Sequence, residues 1–200
     1  MLSCRIIGDR ACFTNPHLNG ERMSYDVPTG SALRQIIGSV YSKPEMRVII
    51  REIQILNPIR RGYIKLNGLK FSPREVTNPQ LNAKHRHQYN ISFLENVDYR
   101  VFFTIQDEGC DREGANTPGK HAAIFRDRLA AGKHYKQAFL GMREFVGFVL
   151  EDFDDKKPID HSSDYGTMLH DIIHPTKYNK LKQAEISWTR VKVQNGVIKF

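Results

Sequence analysis

Hydrophobic and polar positions follow two periods along this chain, and the switches between them lay out a mixed α+β protein. Cys4-Arg-Ile-Ile-Gly8 and Ala11-Cys-Phe-Thr14 read as a first strand with an irregularity at Gly8-Asp9. Leu33, Ile36, Ile37 and Val40 then recur at helical spacing, which predicts a helix over 31–41 that follows Thr29 and ends before Pro44, with Tyr41 at its C-terminal end. Met46 to Leu56 is rich in β-branched residues and reads as a long strand. Asn67-Gly68 signals a hairpin within Ile64–Phe71. Tyr89–Leu94 and Tyr99–Gln106 read as two strands parted by a turn at Glu95–Asp98.

Thr117-Pro118 opens a second helix, which runs through Ile124, Phe125 and Leu129 and stops at Gly132. Arg143–Leu150 is another strand. The order strand, helix, strands, helix, strand is that of a βαββαβ unit, so the expected class is α+β, ferredoxin-like, with an inserted basic β-hairpin. Asp152–Pro158 reads as a linker. Beyond it, Ala184–Val193 and Val197–Phe200 around Asn195-Gly196 predict a small C-terminal β hairpin. The expected division is 1–151 and 152–200.

Composition narrows the function classes. A hydrophobic fraction of 40% argues against disorder, and no apolar run approaches the roughly 20 residues that cross a bilayer, so no membrane partner is expected. Arg5 and Asp9 interrupt any signal-peptide core, which points to the cytoplasm. Cys4, Cys12 and Cys110 lack the spacing of a disulfide framework or a zinc knuckle. Net charge is +8, and residues 1–100 carry 15 Lys+Arg against 8 Asp+Glu, whereas residues 101–200 carry 15 against 14. Arg60, Arg61, Lys65 and Lys70, with Tyr63 and Phe71 among them, concentrate that excess where a phosphate backbone and unstacked bases would suit it. A charged, solvated hairpin has the same composition.

The run Gly114-Ala-Asn-Thr-Pro-Gly-Lys120-His121 sets a lysine beside a histidine at a helix start. Helix-end polarity and the adjoining ammonium favour a neutral imidazole, the state a general base needs, and the lysine suits a developing phosphate charge. Plain anion binding at the helix end and a solvated helix start remain open on spacing alone. A Walker A loop is disfavoured because His121 stands where Ser or Thr would hold magnesium. His170-Asp-Ile-Ile-His174 imitates a zinc helix, but Pro175 follows at once. Asp107, Glu108 and Asp111 are the only nominees for a metal nuclease.

Tyr25-Asp-Val-Pro-Thr29, Val40-Tyr-Ser-Lys-Pro44, Gly119-Lys-His121 and Phe139-Leu-Gly-Met-Arg-Glu-Phe145, in this order, resemble the subtype I-C (Dvulg) branch of the CRISPR-associated Cas-five family. That family belongs to the repeat-associated RNA-binding, RRM-like superfamily, with a ferredoxin-like domain followed by a small C-terminal β-sheet. The resemblance implies a metal-independent endoribonuclease without a cofactor. It would cut the repeat stem-loops of precursor CRISPR RNA and retain the 5′ handle as a subunit of the type I-C surveillance complex. It also implies Tyr41, Lys120 and His121 as catalytic residues, with Ser42 where relatives can carry tryptophan. Cleavage would use the RNA's own 2′-hydroxyl: His121 takes or positions its proton, Lys120 neutralises the phosphorane, and Tyr41 orients the phosphate or assists proton transfer. The alternative is a non-catalytic subunit that holds the crRNA handle.

Overall fold

A computed structural model describes residues 1–18, 21–69, 86–107, 117–175 and 181–200. Ten strands and two helices occur among the described residues. In chain order they are β1 (Leu2–Ala11), β2 (Arg22–Met23), α1 (Gly30–Ile37), β3 (Met46–Ile55), β4 (Arg61–Leu69), β5 (Arg86–Asp107), α2 (Pro118–Ala130), β6 (Ala138–Phe139), β7 (Val146–Leu150), β8 (Ser163–Ile173), β9 (Glu185–Val193) and β10 (Val197–Lys199). The main sheet runs β10-β3-β5-β1-β7-β6, with β2 and β4 also paired to β5. The fold is mixed α+β around a mostly antiparallel sheet. No helix among the described residues is long and apolar enough to cross a membrane.

Strand alternation sorts the sheet into two faces. Cys4 pairs with Val101 and Ile6 with Tyr99, all buried, and Val101 in turn faces Ile53 on β3. Phe103 on this face meets Phe125 of α2 edge to face, with ring centroids 5.2 Å apart, so the helices cover this side. Arg5 and Arg100, directly opposite one another in the β1–β5 pair, point to the other side. Two facing guanidiniums repel unless carboxylates intervene. Asp98 of β5 and the segment read as a linker supply them. Arg5 forms a bidentate pair with Asp98 and reaches Asp154 at 2.7 Å, while Arg100 holds Asp152 at 2.7 Å and the Asp154 carbonyl at 2.6 Å. Lys156 completes the cluster on Asp98 at 2.9 Å. Residues 152–156 are thus a strap tied across the sheet.

Several local expectations are corrected. Gly8-Asp9 shifts no register between β1 and β5, but the pairing skips Asp9, which falls opposite Asn96. Glu95–Asp98 is no turn: β5 runs 22 residues without a break, and Asn96 is accommodated within it at φ 49°. Asn67-Gly68 does not turn either, since both residues lie in β4 opposite Gln88 and His87. β4 pairs instead with the first half of β5, and residues 70–85 between them lie outside the described residues. Asn195-Gly196 does turn, at φ 49° and 75°, but β10 then leaves β9 for β3, and β9 pairs with β8 instead. His170 lies on the β8 strand, so the helical four-residue spacing to His174 is not present.

Candidate active site

The end of α1 and the start of α2 build the site. α1 opens on Thr29, whose side chain accepts from the Ala32 backbone N–H, and stops at Gly38, so Tyr41 stands three residues beyond the helix rather than on its last turn. The Ser39–Tyr41 turn is held from two sides. Arg128 of α2 donates to the Val40 carbonyl at 2.9 Å, and the Tyr135 and Lys136 backbone amides donate to the Ser39 carbonyl at 2.8 and 3.1 Å. Tyr41 is thereby fixed in the core, only 8% exposed.

α2 begins as its sequence dictates. Thr117 caps it by accepting from the Lys120 amide, and Pro118 occupies a first-turn position where its missing N–H costs nothing. It ends with the Lys133 amide on the Arg128 carbonyl and the Gly132 amide on the Leu129 carbonyl, with Gly132 at φ 62°. His121, Phe125 and Leu129, four residues apart, form its buried face. Adjacent positions on a helix diverge by about 100°. Lys120 is accordingly exposed while His121 is 2% exposed.

Two of the three expected catalytic side chains therefore meet inside the protein. The Tyr41 hydroxyl lies 3.0 Å from His121 Nδ1, and the two rings pack with centroids 5.8 Å apart. His121 Nε2 is buried without a hydrogen-bond partner among the described residues, and Oε1 of Glu45 stands 4.0 Å from it. The Tyr41 phenol is pushed above its ordinary value by burial first and by the Glu45 charge second, with Arg128 opposing. A cleft of about 410 Å³ opens beside Tyr41, with Lys43, Arg47, Lys136 and His174 in its lining. A neighbouring cleft of about 680 Å³ shares Gln35 and Lys136 with it.

The expected RNA-binding residues differ in setting. Lys65 projects from β4 beside the 70%-exposed Tyr63, and Arg60 is exposed at the start of the hairpin. Arg61 is tied to Asp26 at 2.6 Å. Lys70 lies outside the described residues, as do Glu108 and Asp111. Sequence reasoning missed Glu45 and Arg128. Glu45 sits four residues past Tyr41 in a turn, where no periodicity marks a side chain as facing inward, and Arg128 reads as an ordinary basic residue at a helix end.

The mostly antiparallel sheet with its helices defines an α+β protein whose candidate site is this buried tyrosine–histidine pair beside a basic cleft. The chain belongs to the CRISPR-associated protein (Cas_Cas5) family, whose Cas5d model matches residues 1–200. It is 34% identical over 189 residues to the CRISPR pre-crRNA endoribonuclease Cas5d of Mannheimia succiniciproducens, an alignment that covers 84% of this chain and 82% of that one. A crystal structure of a CRISPR-associated protein superposes with a TM-score of 0.72 at 28% identity, covering 99% of this chain and 90% of the other. A chain of a CRISPR RNA-guided surveillance complex shares the fold, with a TM-score of 0.54 at 16% identity over 95% of this chain and 90% of that one.

Proposed function

We propose that this protein is a metal-independent endoribonuclease that cuts precursor CRISPR RNA at its repeat stem-loops and keeps the 5′ handle as a subunit of a type I-C surveillance complex. The observation that carries this reading is the 3.0 Å contact between Tyr41 and His121 in a chain similar to a named pre-crRNA endoribonuclease. Burial of His121 refines the roles. Tyr41 lines the cleft and the imidazole lies behind it. The ribose 2′-hydroxyl gives its proton to the Tyr41 oxygen as Tyr41 passes its own to Nδ1. The 2′-oxygen then bonds to phosphorus and the bond to the 5′-oxygen breaks, with that oxygen taking a proton from water. Exposed Lys120 neutralises charge on the phosphorane. The products are a 2′,3′-cyclic phosphate and a 5′-hydroxyl.

The finer fold assignment is supported by strand order. In β3-β5-β1-β7, α1 links parallel β1 and β3 across β5, and α2 links parallel β5 and β7 across β1, two interlocked split βαβ units as in a ferredoxin-like domain. Residues 152–200 form the second unit of the proposed division, moored by the strap and by β10. RNA is taken to run along the basic cleft, past the exposed Arg60 and over the β4 face that carries Arg61, Tyr63 and Lys65, with Lys70 contributing to the same basic segment. The non-catalytic reading draws on one observation, the 2% exposure of His121. Incubation of the protein with its repeat RNA in excess EDTA separates the two: defined cyclic-phosphate ends support cleavage, and tight binding without products supports the assembly role.

A further inference from the structure

Resting on the roles just proposed for Tyr41 and His121, the unmatched nitrogen of His121 points to another residue of the site. Nδ1 is taken by the Tyr41 hydroxyl, whereas Nε2 is buried with no hydrogen-bond partner among the described residues. Buried ring nitrogens are seldom left so. Glu45 Oε1 lies 4.0 Å away on a side chain that is 18% exposed, in the turn between Pro44 and β3. That gap exceeds a hydrogen bond by about 1 Å, which a small side-chain rotation or one bridging water spans. The Glu45 field already reaches the pair, since it contributes to the raised Tyr41 phenol. Arg128 faces Tyr41 from α2, and Lys120 adjoins His121 on the helix.

We propose that Glu45 is a positioning residue, accepting from Nε2–H of His121 and so fixing the neutral imidazole with a bare Nδ1 toward Tyr41. The tautomer decides the direction of proton flow. With the proton on Nε2, Tyr41 donates to Nδ1 and its oxygen is left to accept the ribose proton. With the proton on Nδ1, the imidazole donates to Tyr41 and inward transfer is blocked.

The test uses E45A, E45Q and H121A in single-turnover cleavage of repeat RNA, RNA-binding and melting measurements, and ¹⁵N NMR of the histidine rings in the free protein, with H121A assigning the signal. E45A should lower the rate about 10- to 100-fold, the usual cost of losing a group that orients a functional imidazole, with RNA affinity unchanged. E45Q should retain most of the rate, because its amide oxygen still accepts from Nε2–H. The His121 ring should show the Nε2–H tautomer in wild type and E45Q and lose that preference in E45A. A wild-type rate for E45A, an Nδ1–H tautomer in the wild type, or equal losses in E45A and E45Q that track melting temperature would overturn the proposal. Normal cleavage by H121A would instead overturn the catalytic reading of His121, while the NMR result would still test the Glu45 contact by itself.

Discussion

Replacing Tyr41 by phenylalanine removes one oxygen and leaves the ring, so its effects on stability and on rate can be worked out separately. The hydroxyl is bonded to His121 Nδ1 at 3.0 Å between two buried side chains. Its loss strands a buried nitrogen, which costs about 1–3 kcal/mol. For a chain of this size that is roughly 2–4 °C of melting temperature per kcal/mol. Against a typical total stability of about 5–15 kcal/mol, even the larger loss leaves well over 90% of the protein folded. Unfolding therefore cannot account for a large fall in activity. If Tyr41 relays the proton, the single-turnover rate should fall by about 10²–10⁴-fold, with RNA affinity retained. Quenched-flow or gel cleavage at saturating protein, a binding isotherm and a melt together decide it. A Y41F protein that melts lower yet cleaves at the wild-type rate would make Tyr41 a packing residue and rule out its part in the proton relay.

H121A should likewise abolish cleavage while binding persists, read in the same gel and filter assays. Neutralising Arg60, Arg61, Lys65 and Lys70 together should weaken RNA binding and lower the log–log salt slope by about 0.7–0.9 for each phosphate that the protein no longer neutralises; of these, R61Q alone should do least, because Asp26 already engages Arg61. Burial pushes the Asp98 carboxyl up, but its bonds to Arg5 and Lys156 outweigh that and hold it below its ordinary value. Its contribution to stability is thus complete above about pH 4 and is lost as pH falls through the lower, folded-state value; D98N should destabilise at neutral pH by less than the about 3–5 kcal/mol of a fully stranded buried charge, because Arg5 keeps Asp154, and should flatten the acid limb in urea titrations. The raised Tyr41 phenol stays protonated through neutral pH, so any alkaline loss of cleavage due to Tyr41 ionisation should begin above about pH 10, the ordinary phenol value.

Local chemistry was legible where one residue decides the backbone. Thr117 and Pro118 marked the α2 start, Gly132 its end and Asn195-Gly196 a turn, because caps and left-handed positions act within a few residues. The same signals misled where tertiary pairing overrode them: Asn67-Gly68 was drawn into a long strand by its pairs with β5, and Asn96 by the pairs on either side of it, Glu95 with Arg10 and Val97 with Gly8 of β1. β8 escaped notice because register shifts near Tyr165 and His170 break its alternation, with Gly166 at φ 70°. The burial of His121 was not read from the sequence, although its four-residue spacing to Phe125 and Leu129 sets it on the buried face of α2. Its contact with Tyr41, 80 residues away, and the approach of Glu45 depend on how α1, α2 and the intervening turn pack, which no periodicity encodes.

The most direct test of the account is a repeat RNA in which only the ribose 5′ of the scissile phosphate is replaced by 2′-deoxyribose, assayed in excess EDTA beside the all-RNA substrate. A DNA sugar has no group there to attack the phosphorus. The all-RNA substrate should be cut to 2′,3′-cyclic phosphate and 5′-hydroxyl ends while the modified RNA binds normally and stays intact. Cleavage of the 2′-deoxy substrate at the normal rate, or a strict need for magnesium with the all-RNA substrate, would contradict it.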